Sequence, residues 1–182
     1  MANLGVHLNS QTLPTREQWE DVAMRHNIPL TFSESFNPKE HPVCEMGQVE
    51  HPKGIVSLKL GGANCQFQLD LHKISDEDIE STEEYYHGVY INCDLSAAFS
   101  WSEFNRADSL SAQLSASTLA LLTGGSVFWA RAKNGFYVGE RAFDVINRAA
   151  YREAKQCVNK DFKFIKAGVF QDSCRFFNYA AI

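Results

Sequence analysis

The segment HPVCEMGQVEH sets His41, Cys44 and His51 within eleven residues. Imidazole and thiolate are preferred zinc ligands, and a zinc site needs three or four such groups in a tetrahedron. This spacing follows no standard zinc pattern, and Pro42 and Pro52 mark an ordinary loop. The expectation is therefore loop histidines and an idle thiol, with no metal and no cofactor. The same stretch, with Glu45, is where a small hydrolase or nucleotide-modifying enzyme would place a site, and that is the alternative to a binding role.

The other chemical candidates are weaker. The five cysteines, Cys44, Cys65, Cys93, Cys157 and Cys174, are an odd number without a C-x-x-C pair. They read as free thiols of a reducing cytoplasm. Cys93 stands beside Asp94, whose charge opposes thiolate formation, and Cys65 falls on the apolar side of a hairpin. Neither G-x-S-x-G nor H-E-x-x-H occurs, so no enzymatic signature is found. Gly124 and Gly125 could suggest a phosphate loop. A phosphate loop follows a strand and opens a helix, whose N-terminus offers free N–H groups. Here the glycines follow a helical pattern and precede a strand, so they read as a helix stop.

The acidic run SDEDIESTEE carries Asp76, Glu77, Asp78, Glu80, Glu83 and Glu84, six carboxylates in nine positions. One reading is a solvated helix start capped by Ser75, since carboxylates suit a first helical turn. The other is a negative patch that meets a basic partner, because clustered like charge steers encounter. Tyr85 and Tyr86 adjoin the run, and aromatic residues beside charges are common in interface hot spots.

The elements that must position these residues follow from pattern. NLGVHLNS alternates Leu4, Val6 and Leu8 with polar positions, a half-buried strand. A helix begins with Thr15 as N-cap and Gln18 three residues on, presents Trp19, Val22, Ala23 and His26 on one face, and stops at Asn27 and Pro29. PLTFS is a short strand and residues 33–53 a loop. GIVSLKLGGANCQFQLDLH reads as a β-hairpin turning within Gly61–Asn64, with one wet face. HGVYINCDLS predicts another strand. SWSEFNRADSLSAQLSASTLALLTGG predicts a long helix with Ala107, Leu110, Leu114, Leu121 and Leu122 near one stripe. Lys133-Asn134-Gly135 predicts a second hairpin, a last helix runs over Arg141–Val158, and the aromatic tail adds a strand or wraps the core.

The 182 residues are sufficient for a single domain spanning 1–182, with 45% hydrophobic and 21% charged residues. The expected fold is α+β: an antiparallel or mixed sheet of hairpins packed by two or three α-helices. The net charge of −5 disfavours nucleic acid as a partner and suits a basic protein. No apolar run reaches the roughly 18 residues of a membrane span, and MANLGVHLNS has no signal-peptide character.

Two stretches carry a family resemblance. FSWSEFNRADSLSAQLSASTLALLTGGSVFWARAKNGF resembles small bacterial proteins in which a strand ending Phe-x-Trp leads into an Ala/Leu-rich helix closing on Leu-Thr-Gly-Gly. The matching residues are Phe99, Trp101, Ala107, Leu114, Leu119, Leu122, Thr123, Gly124, Gly125 and Val127. LPTREQWEDVAMRHNIPLTF is similar to the opening of the same proteins through Pro14-Thr15, Trp19 and Pro29-Leu30. These proteins resemble immunity proteins of bacterial toxin systems. The resemblance implies a cytoplasmic, non-enzymatic inhibitor that binds a cognate toxin domain. Trp129-Ala130, where those proteins often carry Asp-Pro, and the extended tail depart from the pattern.

Overall fold

Alternation in the first strand sets the core. The structure, a computed structural model, describes residues 2–44, 54–83, 92–102, 105–128 and 136–157. In β1 (Ala2–Leu8), Leu4, Val6 and Leu8 point into the core. Burying each such side chain stabilises by about 1.5–3 kcal/mol. β1 pairs antiparallel with β6 (Leu95–Trp101) on one side and β7 (Ser126–Phe128) on the other. The eight-stranded sheet runs β2 (Leu30–Phe32), β4 (Ile55–Leu60), β5 (Ala63–Lys73), β6, β1, β7, β8 (Phe136–Val138). β3 (Val43–Cys44) pairs parallel with β5, on residues that β4 does not reach. The fold is thus α+β with a mixed sheet, as expected. Residues 33–53 are not all loop: β3 lies among them.

The β4–β5 hairpin has its expected wet face, with Ser57 and Lys59 exposed opposite buried Val56, Leu58 and Leu60. Its turn is tighter than expected. Leu60 pairs with Ala63, so Gly61 and Gly62 alone make the turn, both at positive φ.

α3 (Arg106–Thr123) packs on one face of the sheet, with α1 (Arg16–Arg25) and α4 (Gly139–Cys157) against it. α1 begins with the expected capping box: Thr15 Oγ1 accepts from Gln18 N–H, and Gln18 Oε1 accepts from Thr15 N–H. Trp19 is fully buried; its Nε1 donates to Thr118 Oγ1 at 2.8 Å and to Ser115 O at 3.2 Å. Phe32, Phe36 and Phe99 ring it, with centroids 5.0–6.3 Å away.

α3 (Arg106–Thr123) differs from the expected single stripe: every residue from Ala107 to Ala120 is buried. It packs against β1, β5 and β6 and also against α1 and α4 (Gly139–Cys157). Small side chains admit this close packing. The buried hydroxyls of Ser111, Ser117 and Thr118 donate to carbonyls three or four residues earlier, which offsets their burial. The helix also starts later than the pattern suggested. Ser100 and Trp101 belong to β6, and Asn105 caps α3 by accepting from Ala107 and Asp108 N–H. The strand expected from HGVYINCDLS begins only at Leu95, with its residues 87–91 outside the described ones.

The glycine pair ends α3 as the sequence predicted. Gly124 adopts φ 65°, ψ 15°, a left-handed conformation that costs glycine little. The β7–β8 pairing agrees with the predicted hairpin, whose turn lies outside the described residues. In α4, Ile146 and Ala150 are buried and Phe143 half-buried, at helical spacing on one face. The tail from residue 158 lies outside the described residues.

Candidate functional site

The acidic run forms α2 (Asp76–Glu83), which begins three residues after β5 ends. Ser75 caps it as expected. Ser75 Oγ accepts from Asp78 N–H at 3.2 Å, while Asp78 Oδ2 accepts from Ser75 N–H at 3.0 Å and from Ser75 Oγ–H at 2.6 Å. Asp78 is therefore committed to the cap, although the sequence grouped it with the partner-facing carboxylates. Asp76, Glu77 and Glu80 are exposed. They make no ion pair among the described residues, where Arg16–Glu17 at 2.9 Å is the salt bridge seen. Glu83 ends the helix; Glu84, Tyr85 and Tyr86 lie outside the described residues.

The loop candidates separate. His41 Nε2 lies 2.8 Å from Leu69 O, so this nitrogen carries the proton and donates. The ring stands edge-on to Phe36 at 6.1 Å. Gly54 makes room for it: a Cβ there would lie 2.2 Å from Leu69 O and 2.4 Å from His41 Nε2. His41 also lines an open cleft of about 310 Å³ with Phe36, Glu40 and Ile55. Cys44 is drawn into β3 beside His72 on β5. Glu45 and His51 lie outside the described residues, among which no cluster of three metal-ligating side chains forms.

The sheet creates a grouping that the sequence did not suggest. Register aligns Cys44, His72, Ser96, His7 and Ser126 across five strands, on the face opposite α3. Neighbours in such a row stand with Cβ atoms about 5 Å apart. An imidazole flanked by two hydroxyls has the composition of a nucleophile and its base. Burial, however, pushes the His7 pKa down to about 4. A base that weak takes a proton from serine poorly. Only the strand pairing could reveal it, because the five residues spread over more than a hundred positions.

Two thiols, those of Cys65 and Cys93, are disfavoured as thiolates. Desolvation, followed by the Asp108 carboxylate, pushes Cys65 up to about 11. Burial first and Asp94 second raise Cys93. The sequence named Asp94 as the reason, but desolvation is the larger cause. Cys93 lies two residues before β6. Asp94 is a junction: burial raises its pKa, yet the Ser10 hydroxyl and backbone N–H outweigh that and hold the carboxyl below its usual range.

No described helix is long and apolar enough to cross a membrane. Comparison of the chain with protein-family models, with curated proteins and with solved structures gives no match.

Proposed function

We propose that this chain is an immunity-type protein that binds and neutralises a cognate toxin domain by surface contact. The observation that carries the reading is α2: a capped helix presenting Asp76, Glu77 and Glu80 to solvent without neutralising partners among the described residues. Its last turn holds no basic residue, so its charge stays of one sign along its length. Such a helix suits a basic partner, and many nuclease-type toxin domains are basic because they must hold phosphate backbones. The raised Cys65 and Cys93 thiols and the weakly basic His7 support binding over bond-making. The partner is thus a toxin domain with a cationic face; membrane and nucleic acid are not its targets.

Co-expression with toxin domains encoded beside this chain tests the reading. Growth should be restored by the wild-type protein. The triple variant Asp76→Lys, Glu77→Lys, Glu80→Lys should associate about tenfold more slowly at low salt, as expected for lost steering. Asp78 is left intact so that the helix cap survives. Failure of every neighbouring toxin to be neutralised would remove the proposal.

A further inference from the structure

The sheet leaves a gap beside β4. Hydrogen bonds give the phase of this strand. Ser33 N–H donates to Ser57 O at 2.8 Å and Gly61 N–H to Pro29 O at 3.0 Å, whereas Leu69 N–H donates to Gly54 O at 2.8 Å. Odd-numbered residues of β4 thus turn their backbone groups towards β2, and even-numbered ones towards β5. β2 covers only Leu58–Leu60 in register. At Ser33 the neighbouring chain leaves: the Ser33 carbonyl, which a longer β2 would offer to Ser57 N–H, accepts from Phe36 N–H at 2.9 Å and Arg16 Nη1 at 3.4 Å. Ser57 N–H, Ile55 C=O and Ile55 N–H are left on an open edge, without partners among the described residues.

That edge forms one wall of the cleft of about 310 Å³ whose other walls include Ser33, Ser35, Phe36 and Glu40. Glu40 is exposed and is the carboxylate of the lining. Ile55 is 60% exposed at the rim, an apolar contact for a neighbouring strand. His41, which also lines the cleft, is held by Leu69 O, and Gly54 leaves room for its ring.

We infer that this cleft receives a short extended segment of a partner protein, which pairs as a strand with Ile55 and Ser57 and places a basic side chain against Glu40. Main-chain pairing supplies the three missing partners, and side-chain pockets supply selectivity, as in other strand-addition complexes. The free edge runs only from Ile55 to Ser57, a length of two or three residues at the strand rise of about 3.3 Å each. It is thus a secondary contact with a weak affinity of its own. It does not rest on the toxin-binding reading, since none of its residues belongs to α2.

The test is a nuclear magnetic resonance titration of the full chain with one probe, a capped tetrapeptide of valine, lysine, valine and threonine, up to a few millimolar. The Ile55 and Ser57 amides should shift, and their exchange with solvent should slow about fivefold or more at saturation. The same peptide with N-methylated backbone amides should not bind. Replacing its lysine by glutamate should weaken binding, and Glu40→Gln should weaken the lysine peptide about threefold. Ser35→Trp, at an exposed position, should block the cleft. Unmoved Ile55 and Ser57 amides, or equal binding of the N-methylated peptide, would overturn the inference whatever the variants do. Toxin neutralisation is a separate readout, so failure here leaves the toxin reading untouched, and the reverse.

Discussion

His7 shows how one residue's surroundings set its chemistry. It sits on the sheet face that alternation marks as polar, yet it is only 8% exposed, and desolvation lowers its pKa from 6.5 to about 4. The folded state therefore holds a neutral imidazole, while the unfolded chain takes up a proton near pH 6.5. Stability from this group is fully present above pH 6.5 and falls as pH drops towards 4, by up to about 3 kcal/mol at 1.36 kcal/mol per pKa unit. Urea unfolding at pH 7 and pH 4.5 should reveal that loss, and His7→Gln should flatten the difference even if it lowers stability at both pH values. An unchanged pH slope would show that other groups carry the acid limb. Asp108 behaves in the opposite sense. Burial raises its pKa even though it accepts from Gln66 N–H at 2.8 Å. The folded state favours its neutral form, so its contribution is present below about pH 3.8 and lost as pH rises through the raised value.

At the scale of elements, the sheet's ends matter most. β2 is an edge strand of three residues, and edges invite pairing with other chains. Here Glu20 on α1 closes it: Phe32 N–H donates to Glu20 Oε1 at 2.7 Å. Glu20→Ala should cost about 1–2 kcal/mol through the unsatisfied, partly buried N–H. It should also raise self-association, read by light scattering at increasing concentration. Glu20→Gln, which keeps an acceptor, should restore most of the loss; if Glu20→Ala leaves both stability and association unchanged, the edge is protected by something else. α3 illustrates a different principle. Its serines would suit a solvated helix by propensity, but each buried hydroxyl that bonds back along the helix removes its own penalty, and the small side chains let α4 approach.

At the scale of the whole molecule, the charge is unevenly spread. The chain carries a net charge of −5, and α2 concentrates part of it on one exposed helix. Steering by such a patch is screened by salt over a Debye length of about 10 Å at 0.1 M. Association with the proposed basic partner should therefore slow by about tenfold between 50 mM and 500 mM salt, while dissociation changes little. Stopped-flow mixing would separate the two rates. A salt-insensitive association rate would place the contact elsewhere. The open edge of β4 adds a second kind of contact, made by backbone groups and limited in reach.

Much of the scaffold was legible in the sequence. Thr15 with Gln18, the alternation of Leu4, Val6 and Leu8, and the glycine at the end of α3 are local signals: short-range hydrogen bonds and φ preferences fix them within a few residues. The acidic run could likewise be read as a capped helix, because Ser75 and Asp78 are only three positions apart. What the sequence could not supply was anything set by pairing between distant segments. The burial of α3 on every side, the row from Cys44 to Ser126, the diversion of Ser33 away from β4 and the low basicity of His7 all depend on which strands become neighbours. Burial and register are properties of the assembled sheet. Local composition sets which residues can take part, and only the tertiary structure decides which of them meet and which are shielded from water.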